Sequence, residues 1–352
     1  ALLAAPVSAV TCTSTAAGGN WNAVGTWTGC AGGNGPVANT PGSADTAIIA
    51  TAGASVVTVN VAVTAGVVTV NAGARLTQTQ SLTLSTATLS GTLNAAGILT
   101  SNNVLTVNGP TNITAGTFSP ASASARTFVG MVTVSGGTWA GTTRAATFRG
   151  GLTVNGGTFT AGTGVQTFST NNQTIGGTVA ISIPRITVTG VTLSNSGNLT
   201  VTTALAGTGG LTNGTAASQL HINFTGAVGI TTLTAAVAGN LVDYAFAGAQ
   251  TIKVPASGYQ NLTLRTSGAK TAAGALTVNG DFTLGGSATF AAGSTTHNFA
   301  GNWIIDTSAA TPITVTTTSR MNFNSPAPAA PRSIGGTTAA TLAFADVFIN
   351  NT

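Results

Sequence analysis

The chain has 352 residues, room for one large domain or two of medium size. Only 4% of them are charged, against about a quarter in an ordinary soluble domain, and there is no Glu. General acid–base catalysis, metal chemistry and a helix-rich fold all call for side chains that are scarce here. The formal charge of +5 reflects missing acids: eight Arg with Lys253 and Lys270 face only Asp45, Asp243, Asp281, Asp306 and Asp346. The tightest basic group is Arg126, Arg144 and Arg149, too sparse for the clustered phosphate contacts of a nucleic-acid binder.

In chain order, residues 1–10 (ALLAAPVSAV) are apolar and end in small residues. They read either as the remnant of a secretory signal or as an apolar arm of the mature chain. Residues 11–45 are rich in Gly, Asn and Trp and hold both cysteines, Cys12 and Cys30. A disulfide closing this loop contributes ~3 kcal/mol and belongs to an oxidising compartment. With Trp21 and Trp27 it predicts an N-terminal cap over an open core. Residues 46–116 alternate as short strands, among them 55–59, 66–70, 82–84 and 105–107.

The strongest signal is internal repetition. Residues 125–144, 145–164 and 165–184 align without gaps, with Thr-Phe at 127/128, 147/148 and 167/168. Each unit alternates as in Val132-Thr133-Val134 or Leu152-Thr153-Val154, and Gly-Gly pairs follow. Such a 20-residue period, with two or three strands per unit, predicts one coil of a β-solenoid: apolar side chains inward, Thr and Asn in register outward. A longer repeat overlies it, with related segments at 171–177, 248–254 and 331–336. This predicts long units over 171–250 and 251–330, and a third that begins at Arg332 and stops partway. Pro326, Pro328 and Pro331 mark a loop. No run of 18 apolar residues predicts a membrane span.

The chemistry-bearing residues are few. His221 and His297 fall in the related strings LHINFTG and THNFAG, so a shared architectural role explains both. Asp243, Asp281 and Asp306 lie one to two coils apart, within reach of the geometry of a glycosidase pair, but turn capping accounts for them more simply. The Gly-Gly turns lack the carboxylate of calcium-binding repeats. Asn112, Asn172, Asn198, Asn223 and Asn261 head Asn-x-Thr triplets that this composition produces by chance.

The opening GGNWNAVGTWTGC, the following PGSADTAIIATAGASVVTVNVAV and the LTVNG and QTIGG repeats resemble secreted bacterial β-strand-repeat proteins. These are the solenoids of adhesins, autotransporter passengers and fibre-forming surface proteins. The resemblance implies export, a right-handed parallel β-helix and a structural or adhesive role, and carries over no catalytic residues.

The reading is therefore all-β, a parallel β-helix (β-solenoid) with about 20-residue coils and a disulfide-containing N-terminal cap. Residues 1–10 form the arm or signal remnant, 11–45 the cap, 46–250 the solenoid, and 251–352 its continuation into an incomplete repeat. The expected function is that of a non-enzymatic extracellular subunit that assembles end to end into a fibre, surface layer or biofilm matrix, with itself as partner. Leu2, Leu3, Val7 and Val10 at one end and Phe344, Val347, Phe348 and Ile349 at the other are the expected assembly contacts. No cofactor, nucleic acid or membrane span is expected. An alternative is an adhesin or glycan-binding module that uses exposed aromatics such as Tyr244 and Tyr259. A third reading is a polysaccharide-degrading β-helix using Asp243 or Asp281.

Overall fold

The computed structural model of the chain describes residues 8–50, 56–71, 74–78, 80, 82–84, 93–95, 98–101, 105–108, 110–120, 126–324, 332–336 and 341–350. Leu2, Leu3, Val7, Pro326, Pro328 and Pro331 lie outside the described residues. The fold is a parallel β-solenoid with coils of about 21 residues. Contacts divide it into two compact units, 1–179 and 180–352.

In the first unit the 20-residue sequence period becomes a coil of three short strands. Arg126–Phe128, Val132–Val134 and Thr138–Ala140 make one coil, and Ala146–Phe148, Leu152–Val154 and Thr158–Thr160 the next. Each strand pairs parallel with its copy: Thr127 with Thr147 and then Thr167, Val132 with Leu152, Thr138 with Thr158. Alternation decides what faces inward. Val132, Val134, Leu152 and Val154 are buried and the threonines between them are half-buried. The Phe of each Thr-Phe pair lands above the one before it, so Phe128, Phe148 and Phe168 stack with ring centroids 5.7 and 5.2 Å apart. Trp139 packs against Phe118, Phe128 and Phe148 beside that column.

The Gly-Gly turns are forced by the same stacking. Gly157 has φ +66°, a conformation L residues rarely adopt, and a Cβ there would run into the carbonyl oxygen of Gly137 one coil earlier.

The cap forms as the sequence predicts. Cys12 and Cys30 are bonded, their Cα atoms 4.5 Å apart. Trp21 and Trp27 are buried edge to face at 5.1 Å, and their indole N–H groups donate to Pro41 O and Trp21 O. Asp45 is fully buried: Oδ1 accepts from Val10 N–H, and Oδ2 from the N–H groups of Asn34 and Gly42. Thr11–Ser14 runs parallel to Thr46–Ile49 on one side and antiparallel to Trp27–Thr28 on the other. The antiparallel strand covers an edge that would otherwise present unpaired backbone.

The second unit builds its core on an inward column of Ile181, Leu199, Leu220, Val242, Leu262, Phe282 and Trp303, one residue per coil. At one corner asparagines replace apolar contacts. Asn195 donates to Asn213 Oδ1 at 2.8 Å, Asn213 to Leu241 O at 2.9 Å, and Asn240 to Asn213 O at 2.8 Å. Asn261 continues the series to Asn240 O at 2.8 Å. These amides satisfy backbone groups that the turns leave unpaired.

Two cations break the expected pattern by lying inside. Arg126 shares an inward column with Leu105, and burial, with Arg144 nearby, lowers its pKa. Lys270 is fully buried in the second unit, and Nζ donates to Phe246 O, Gly248 O and Gln250 Oε1 at 2.6, 3.0 and 2.7 Å. Burial pushes its pKa down to about 8. Among the described residues no helix is long and apolar enough to cross a membrane.

Candidate functional site

On the outer face of the second unit, opposite charges meet at one-coil spacing. The outward column runs Ser182, Thr200, His221, Asp243, Thr263, between the buried neighbours of each strand. His221 pairs in register with Asp243, and Arg265 follows two residues after Thr263, Asp243's partner on the next coil, so its long side chain reaches back to the carboxylate. Asp243 Oδ2 accepts from His221 Nδ1 at 2.8 Å and from Arg265 Nε at 2.7 Å, with Arg265 Nη2 at 2.6 Å. The carboxylate needs a donor, so Nδ1 carries the imidazole proton. His221 Nε2 lies 3.3 Å from Gln219 Oε1.

Asp243 is only 1% exposed, whereas the Arg265 side chain is 50% exposed. Burial alone would raise the Asp243 pKa, but the hydrogen bonds and charges of His221 and Arg265 outweigh it and hold the carboxyl below its ordinary value. The same contact raises the Arg265 pKa. Oδ1 of Asp243 is buried without a hydrogen-bond partner among the described residues.

Beside this cluster lies an open depression of about 300 Å³ lined by Ala180, Asn198, Thr200, His221, Asn223, Ala245 and Arg265. The small side chains Ala180 and Ala245 make the space. Amide, hydroxyl, imidazole and guanidinium groups surround it, so the lining can both donate and accept hydrogen bonds.

The structure separates the two histidines that the sequence equates. Aligned on Asn223-Phe224 and Asn298-Phe299, His221 stands two residues before the Asn and His297 one. In a strand that single residue turns the side chain to the other face. His221 faces outward, and His297 is 0% exposed beneath the sheet. There His297 Nδ1 accepts from Leu276 N–H at 3.1 Å and Nε2 donates to Ala292 O at 2.8 Å. Burial lowers its pKa.

Tyr244 and Tyr259, expected to be exposed, are both fully buried. Their hydroxyls sit 3.1 Å apart, Tyr244 accepts from Lys253 N–H, and Tyr259 donates to Lys253 O. Burial pushes Tyr244 up to about 12. They are core residues because their positions pair in register with inward columns.

Asp281 caps a turn, as the simpler reading expects: its Oδ1 accepts from the backbone and side-chain amides of Asn302, each at 2.9 Å. Asp306 pairs in register with Gly285 on the strand of the preceding coil. Of the expected assembly contacts, Val10 joins the cap through Asp45, and Phe344 packs its ring on Trp303 and Phe323. Val347, Phe348 and Ile349 are exposed on Asp346–Asn350. Arg265 carries no signal of its own in the sequence, and Asn198 and Asn223 stand out there only as heads of Asn-x-Thr triplets. The available signal was the 22-residue spacing of complementary charges, close to the coil length.

Taken together, strands, columns and turns define a parallel β-solenoid repeat protein. Comparison with known proteins finds no matching family model, no matching curated protein and no matching solved structure.

Proposed function

We propose that this is a non-enzymatic structural protein, exported to the cell surface or beyond, whose solenoid joins other copies of itself into a fibre or matrix layer. One observation carries the reading. Strand Asp346–Asn350 pairs parallel with Arg320–Asn324 and carries Phe348 and Ile349 at 52% and 72% exposure. An apolar strand edge of this kind is a template for a further strand, a hazard that soluble monomers usually blunt.

In the proposed assembly a second copy supplies the covering strand. The nearly uncharged outer columns favour such contacts, because stacked copies meet few like charges. The Cys12–Cys30 bond fits an oxidising compartment.

Electron microscopy of the purified chain over a concentration series tests the proposal. Filaments with an axial reflection near ~4.8 Å, the strand spacing, are expected. Replacing Phe348 and Ile349 with Lys should shorten or abolish them. Dispersed monomers at every concentration would sink the reading.

A further inference from the structure

The depression beside Asp243 has the chemistry of a ligand site, and its ligand class follows from how its charges are already spent. The Arg265 guanidinium is engaged by Asp243 at 2.6 Å, so it offers directed N–H groups and little unbalanced charge. His221 is oriented by the same carboxylate at 2.8 Å. The remaining polar lining, Asn198, Thr200 and Asn223, is uncharged and bifunctional. A second observation points the same way. Asp243 Oδ1, on a side chain only 2% exposed, lacks a donor among the described residues. A buried carboxylate oxygen left unpaired costs free energy that a ligand or water O–H recovers.

We propose that this depression binds an uncharged, hydroxyl-rich saccharide. A sugar hydroxyl donates one hydrogen bond and accepts two. It matches a lining of amide, hydroxyl, imidazole and guanidinium groups from Asn198, Asn223, Thr200, His221 and Arg265. Ala245 leaves the room, between Asn223 and Arg265 on adjacent coils. Tyr244 and Tyr259 are buried, and no Phe, Tyr or Trp is among the described residues that line the depression, so recognition here rests on hydrogen bonds. The site is independent of the filament reading and exists on every copy, assembled or not.

The test is a printed array of neutral and uronate-containing oligosaccharides, followed by calorimetry of the best neutral binder. Saturable binding of a neutral oligosaccharide is expected. Arg265→Ala and Asn223→Ala should each weaken it by about tenfold or more, the loss of one good hydrogen-bonding partner. Because Arg265→Ala also unpairs Asp243, Ala245→Tyr serves as a second variant. It fills the depression without removing a polar group, and should abolish binding while the melting temperature stays near that of the parent. No binding on the array, binding of uronates alone, or binding unchanged in Ala245→Tyr would each overturn the proposal. Filament formation, read separately by microscopy, leaves this outcome untouched.

Discussion

His297 is held neutral by its surroundings. Nδ1 accepts from a backbone N–H and Nε2 donates to a backbone carbonyl, so protonation would place a donor against a donor in a buried site. Its folded pKa therefore lies below the ordinary 6.5. A depressed pKa means that the unfolded chain binds more protons as the pH falls. The stabilisation is full above about pH 6.5 and is lost as the pH drops toward and through the folded value. Melting temperatures measured from about pH 7 to about pH 5, where most carboxylates stay ionised, should fall more steeply for the parent than for His297→Gln. Parallel curves would remove His297 as the responsible group.

At the scale of strands and columns, the fold is held by side chains stacked in columns at coil spacing. Phe148 lies between Phe128 and Phe168 and touches Trp139, so it makes contacts to the coils on both sides. Phe148→Ala should destabilise the protein by about 3–5 kcal/mol, the usual cost of removing a buried ring and leaving a cavity. Equilibrium denaturation checks this; a loss under about 1 kcal/mol would mean that neighbouring coils collapse into the space. The columns also show what the sequence made legible. The Thr-Phe beat at 20 residues specifies the coil, the strand and the inward face of Phe148. Arg126 gave no such warning: it occupies an inward position that the alternation marks as apolar, and only its burial beside Leu105 and Ala146 reveals it. Lys270 is similar, because its carbonyl partners come from a turn 22 to 24 residues earlier.

At the scale of the molecule, low charge has a measurable consequence. Ion pairs among the described residues include Arg265–Asp243 and the exposed Arg320–Asp346. Exposed pairs contribute ~0–1 kcal/mol each, and apolar columns with amide ladders carry the rest. Raising NaCl from about 0.05 M to about 0.5 M, which shortens the Debye length severalfold, should therefore shift the unfolding free energy by ~0.5 kcal/mol or less. A drop of several kcal/mol would reveal an electrostatic framework that these contacts do not contain.

Composition and period alone determined that this chain is an all-β solenoid with a disulfide-bonded, Trp-packed cap. Both are local signals: alternation sets a strand's faces, and a fixed period sets which copies stack. The sequence could not tell His221 from His297, expose Tyr244 and Tyr259 as core, or assemble Asp243 with His221 and Arg265. Those outcomes depend on register between strands about 20 residues apart, where a shift of one residue exchanges inside for outside. Register is settled only when the coils close on one another, and so it was the tertiary structure that placed the candidate site.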